Sequence, residues 1–228
     1  MYDIESQQVS SHRLSVNFSS GGSYIETGRN ALLCVGGFNS PAVYSLDYFS
    51  CQLSPLPSLF TRRAEAGLAK FNARFYVFGG HCRERLNSCE RMRLSDHHWT
   101  QISSMKYPRD SFTPCQFRAL IYLPCAYVKA METFNAETET FAVLPVSLPS
   151  LHQGNSSVAF VANGELCLLT TGKQMVRWKI ETEREFRLSN TNRPCWSTQQ
   201  PLIVDSLAFI AYMGKVQKFS LNTYSFLS

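Results

Sequence analysis

Charge is scarce in this sequence. Only 17% of its 228 residues are Asp, Glu, Lys or Arg, while 44% are hydrophobic. That balance supplies enough apolar material for a core and too little charge to keep a chain disordered. Long hydrophobic runs are missing too: none approaches the ~20 apolar residues of a membrane-spanning helix, and residues 1–20 lack the apolar stretch of a secretory signal. No Pro/Gly/Ser-rich linker or run of like charge divides the chain, which argues for a single domain over residues 1–228. A Gly-x-Ser-x-Gly elbow, a phosphate-cradling glycine loop and a His-Glu-x-x-His pair are all absent, so no catalytic residue is nominated and no cofactor is expected.

What charge there is leans positive, +5 from 22 Lys+Arg against 17 Asp+Glu, and it is spread along the chain. Nucleic-acid modules cluster their basic residues around a recognisable motif, and none is present, so neither nucleic acid nor membrane is expected as a partner. The eight cysteines (34, 51, 82, 89, 115, 125, 167 and 195) are expected to be thiols in a cytoplasmic protein, given the lack of a signal. His81, Cys82, Cys89, His97 and His98 fall close together, but six residues separate the two cysteines. Zinc sites favour Cys-x(2–4)-Cys with a matching second pair, so no metal is assigned.

The informative feature is a repeat. Five short apolar runs, Ala31 to Val35, Arg74 to Phe78, Arg118 to Tyr122, Glu165 to Thr170 and Ser206 to Tyr212, each precede a break in the pattern. The breaks are Gly36-Gly37, Gly79-Gly80, Leu123-Pro124, Thr171-Gly172 and Met213-Gly214, spaced by 43, 44, 48 and 42 residues. Such runs are too short for helices and rich in Val, Ile, Phe, Tyr and Leu, so they read as buried strands. A second strand follows each break, at Val43 to Leu46, Glu90 to Leu94, Val128 to Phe134, Met175 to Ile180 and Val216 to Leu221. An aromatic residue then opens a brief outer strand: Tyr48 or Phe49, Trp99, Phe141, Phe186, and Tyr224 or Phe226. Less regular segments such as Glu65 to Phe71, Ser156 to Asn163 and Pro201 to Asp205 supply the fourth strand. Four strands in each ~44-residue unit predict an all-β propeller.

The stretch Phe75-Tyr76-Val77-Phe78-Gly79-Gly80, followed by Trp99, Met105, Pro108 and Arg109, resembles the kelch repeat family. Gly36, Gly37 and Asp47 keep part of the pattern in the first repeat, and the later three retain it as hydrophobicity and spacing. The resemblance implies a propeller of about five four-stranded blades, with repeats near 23–63, 64–109, 110–150, 151–193 and 194–228. Residues 1–22 would add a partial blade, six in total, or a closing strand, with Tyr2 to Ser6 and Arg13 to Phe18 as the segments concerned. It also implies a non-enzymatic scaffold or adaptor that binds a protein, with ubiquitin ligases or the cytoskeleton as the settings in which similar domains work. A kelch-fold enzyme with a central pocket and a structural cytoskeletal component are the alternatives.

In such a blade the loop after the second strand and the linker to the next blade emerge on one face, because neighbouring strands run antiparallel. Those loops carry Arg62, Arg63, His81, Arg83, Arg85 and Arg193, with Trp196 beside the last. Arginine's planar fork suits carboxylates and phosphates, so these residues are the candidate partner-binding set, for an acidic peptide. Gly36, Gly37, Gly79, Gly80, Trp99 and Arg109 are assigned to the scaffold itself.

Overall fold

The computed structural model describes residues 21–227, apart from 29, 39, 48, 152–156, 183–184, 196–200, 205 and 213–214. Among these residues the chain consists of strands and turns. The first sheet takes β1 (Ser23–Gly28), β2 (Ala31–Val35), β3 (Val43–Asp47) and β4 (Gln52–Leu56) in order. The second segment runs β5 (Gly67–Phe71), β6 (Arg74–Phe78), β7 (His81–Cys82), β8 (Glu84–Arg85), β9 (Cys89–Arg93) and β10 (Thr100–Ile102). Its sheet order is β5-β6-β9-β10, and β7-β8 is a separate small hairpin inserted between β6 and β9. The third sheet is β11 (Cys115–Phe117), β12 (Leu120–Cys125), β13 (Val128–Asn135) and β14 (Thr140–Ser147). The fourth is β15 (Ser157–Ala162), β16 (Glu165–Thr170), β17 (Gln174–Lys179) and β18 (Arg187–Asn190). The fifth is β19 (Leu202–Val204), β20 (Leu207–Tyr212), β21 (Lys215–Ser220) and β22 (Ser225–Phe226).

The first strands of all five sheets border one cavity of about 400 Å3, through residues such as Ile25, Lys70, Cys115, Phe160 and Ile203. The sheets are therefore blades set around a common axis, a five-bladed propeller.

The core lies between blades rather than at the hub. Leu33, Val35 and Val43 of blade 1 pack on Leu68, Phe75, Val77 and Trp99 of blade 2. Phe78 of blade 2 meets Phe134 of blade 3 with ring centroids 5.4 Å apart, and Tyr76 meets the same ring at 5.2 Å. Tyr122 of blade 3 packs edge-on against Trp178 of blade 4 at 5.8 Å, and Phe160 of blade 4 against Phe219 of blade 5 at 6.4 Å. A middle strand is thus covered on both faces, which is why Phe75 to Phe78 are all buried and why these strands read as continuous apolar runs instead of alternating ones.

Three expectations change. Leu123-Pro124 is no break: β12 continues through Cys125, and its pairing with β13 shifts register between Leu123 and Cys125. Pro124, which has no N–H to give a ladder, sits at that irregularity. Arg118 is a turn residue with φ 56, so the strand starts two residues later than expected. In blade 1 Phe49 does not pack as Trp99 does, since its ring is 67% exposed in a turn capped by Asp47, which accepts the Phe49 N–H at 3.0 Å. Tyr48, Met213-Gly214 and the segments within residues 1–20 expected to form a partial sixth blade or closing strand lie outside the described residues.

Candidate functional site

The face on which the inter-blade linkers emerge is built on two arginines. Arg63, in the linker from β4 to β5, accepts the Gly37 N–H through its carbonyl at 2.9 Å, so its backbone is held by blade 1. Its side chain runs into blade 2. There Nη1 donates to the carbonyls of Gly79 at 2.6 Å and Ser88 at 2.8 Å, and Nη2 donates to Glu90 Oε1 at 2.7 Å. Arg109 repeats the arrangement one blade on. Its carbonyl accepts from Gly80 N–H at 2.9 Å, while its guanidinium donates to the Leu123 carbonyl and, at 2.7 Å, to Glu132. Burial pulls the Arg109 guanidinium below its ordinary pKa, and the Glu132 carboxylate pulls it back up.

These crossings explain the glycine pairs. A Cβ on Gly36 would lie 2.2 Å from the Arg63 carbonyl oxygen, and one on Gly79 would lie 2.2 Å from that of Arg109. Both glycines also have positive φ, 67 and 57, where a side chain is strained in any case.

Each carboxylate fixes a stretch of linker as well. Glu90 accepts the N–H of Phe60 at 2.8 Å and of Thr61 at 3.2 Å, and Glu132 accepts those of Lys106 at 2.6 Å and Tyr107 at 3.3 Å. Linker backbone is therefore held at these positions. Phe60 presents a ring 66% exposed, and Phe38, on the β2–β3 loop, one 48% exposed.

Between these linkers stands the β7-β8 hairpin, with Arg83 at its turn (φ 65). His81 and Arg85 line an open cleft of about 550 Å3 together with Phe38, Glu65, Glu84, Asp110 and Ser111. Ser111 Oγ donates to the Glu65 carboxylate. Arg85 Nε lies 3.4 Å from Asp110 Oδ2, and its guanidinium sits 4.1 Å from the centroid of the Tyr127 ring, whose hydroxyl donates to Asp110 Oδ1 at 2.8 Å. Hairpin, linker and the β12–β13 turn are so tied together.

The candidate set therefore separates. Arg62, Arg83 and Arg85 are exposed around this part of the face, and His81 is half-buried in the cleft. Arg193 is exposed on the linker from β18 to β19. Arg63 leaves the set as a correction: its side chain is wholly buried and its hydrogen bonds lie within the blades. Trp196 lies outside the described residues. The cleft is not predominantly basic, because Glu65, Glu84 and Asp110 outnumber Arg85 in its lining. Trp99 is buried, and its Nε1–H donates to the Pro57 carbonyl at 2.8 Å, joining blade 2 to the linker that enters it. His97 and His98 follow β9 in the turn to β10, at the opposite end of that strand from His81 and Cys82. Among the described residues no three His, Cys, Asp or Glu side chains group as metal ligands.

Sequence reasoning missed Glu90 and Glu132, each a buried carboxylate on the strand that pairs with its blade's apolar middle strand. It also missed Phe38, Phe60 and the acidic side of the cleft, which depend on how separate loops meet.

Residues 62–106 match the family model described as the Kelch motif. The chain is a β-propeller bearing a kelch motif. The matched stretch begins at the exposed Arg62, takes in all of blade 2 with its inserted hairpin, and ends at Lys106, whose N–H Glu132 accepts. No curated protein matches the sequence. A kelch motif on a propeller fits a protein-interaction module in general terms.

Proposed function

We propose that this chain is a non-catalytic protein-binding module, a scaffold or adaptor, and that its contact surface is the linker face of blades 1 to 3. The observation that carries the reading is Phe60. Its ring is 66% exposed while its own N–H is held at 2.8 Å by a buried carboxylate. An exposed aromatic residue on a fixed backbone loses little conformational freedom on binding, which is how interface anchors gain affinity. Phe38 on the neighbouring loop and the bonded Arg85–Asp110–Tyr127 unit extend the same pre-organised surface. An acidic peptide, the partner first suggested by the arginines, would meet Arg62 and Arg83 on this face but also the carboxylates of the cleft. We place the protein in the cytoplasm, whose reducing conditions suit a chain with eight cysteine thiols.

The test is affinity capture from cell extract with the wild-type chain and with Phe60→Asp and Phe38→Ser variants. Retained proteins should be lost from both variants while the far-UV spectrum and melting temperature stay unchanged. Retention that is the same for all three proteins would sink the assignment of this face.

A further inference from the structure

A second cleft adjoins the first. It measures about 540 Å3, and its lining includes Tyr107, Pro108, Tyr127, Lys129 and Arg85. Arg85 thus lines both clefts. Its contacts with Asp110 and the Tyr127 ring make it a partly exposed septum between them.

The two sides of this septum differ in chemistry. On one side are the carboxylates of Glu65, Glu84 and Asp110, with His81 beside them; among the described residues Asp110 alone of the three carboxylates is paired with a cation, Arg85. Glu65 accepts the neutral Ser111 hydroxyl, and among the described residues it forms no ion pair. A cation is therefore favoured there, and arginine's fork matches carboxylate geometry best. On the other side Tyr107, Pro108 and Tyr127 line the cleft beside Lys129, and pyrrolidine rings pack well on such rings. Segments in the polyproline II conformation have no internal hydrogen bonds and fixed φ, so they dock in such grooves with little ordering cost.

We propose that the paired clefts bind an extended, proline-containing segment of a partner protein with an arginine or lysine close to the prolines. The basic side chain enters the carboxylate cleft and the prolines lie on the Tyr107–Pro108–Tyr127 wall. Polyproline II has three residues per turn, so an arginine three residues before a proline lies on the same side of the segment as that proline. This rests on the reading of the linker face as protein-binding, and narrows it to one kind of segment.

The experiment uses fluorescence anisotropy with three labelled peptides of equal length. One has the pattern Arg-x-x-Pro-x-x-Pro, one has Glu in place of Arg, and one has Ala in place of both prolines. Each is titrated with the wild-type chain, Glu84→Lys and Tyr107→Ala. Glu84 is exposed and Tyr107 half-buried, so neither change empties the core, and circular dichroism checks the fold. The arginine peptide should bind wild type, and its affinity should fall ~10-fold or more with either peptide change and with either variant. Tighter binding of the glutamate peptide, no binding of the arginine peptide, or affinity unmoved by both variants would overturn the proposal. None of these results depends on the Phe60→Asp capture experiment, so the face and the segment it takes can fail separately.

Discussion

The guanidinium of Arg63 stands 2.7 Å from the carboxylate of Glu90, and essentially none of either side chain reaches solvent. Arg109 and Glu132 repeat the pair at 2.7 Å, equally buried. Each pair joins a linker held by one blade to the middle of the next. Desolvating two charges is costly, and here backbone groups on both sides offset part of the cost, carbonyls for the guanidinium and amides for the carboxylate, while Arg63 Nε stays without a partner among the described residues.

Removing one partner should therefore do more harm than removing both. Arg63→Met leaves a buried, uncompensated carboxylate and should cost roughly 3–5 kcal/mol. Adding Glu90→Gln to it should destabilise by clearly less than the sum of the two single changes, with a coupling of about 2 kcal/mol. Urea unfolding of the four proteins of the cycle checks this, and simple additivity would deny the pair its role.

The glycines offer a comparison within one chain. Gly79→Ala meets the Arg109 carbonyl at 2.2 Å, whereas a Cβ on Gly164, also at positive φ, finds nothing within 4 Å. The first should cost roughly 3 kcal/mol or more, the second only the ~1 kcal/mol of a left-handed alanine. Melting curves of the two variants, recorded side by side, separate steric crossing from backbone preference.

Thiol chemistry follows burial. Burial pushes the Cys34, Cys89 and Cys167 thiols up to about 12, and raises Cys115 and Cys125 as well. A raised thiol pKa means that the folded chain keeps protons the unfolded chain releases. Stability from these groups is then complete below the ordinary value of 9.0 and is lost as pH climbs from there toward 12. Unfolding midpoints measured from pH 7 to 11 should fall above 9. At pH 8 a thiol reagent should label the half-buried Cys51 and Cys82 before the six buried cysteines, and mass spectrometry of the peptides reads the order.

Trp99 joins packing and hydrogen bonding in one side chain. Trp99→Phe loses the bond to the Pro57 carbonyl and should cost ~1 kcal/mol. Trp99→Ala also opens a cavity between blades 1 and 2 and should cost roughly 3–5 kcal/mol. Denaturant midpoints of the two variants distinguish the contributions.

Strand positions were legible because each middle strand is covered on both faces, so burial writes itself as a compact apolar run with turn formers after it. Ala31–Val35, Arg74–Phe78 and Glu165–Thr170 are strands with the bounds read from sequence. Pro124 misled because proline marks both turns and strand irregularities, and only pairing tells them apart. The β7-β8 hairpin went unseen because two-residue strands carry no periodicity. Arg62 and Arg63 are the same residue type side by side, yet one is exposed and the other buried. What decides between them is the presence of Glu90, 27 residues later, and a carboxylate placed in space by another strand leaves no local trace.

The buried pairs also set an order of events as the chain folds. Every sheet is drawn from one contiguous stretch of sequence, so a blade's own ladder can close early, from nearby contacts. Arg63 cannot leave water until Glu90, in the following blade, is there to receive it. Docking of blade 2 onto its linker, and of blade 3 onto the next, must then come late, and the same step that dehydrates the charges also fixes Phe60 and Tyr107 in place.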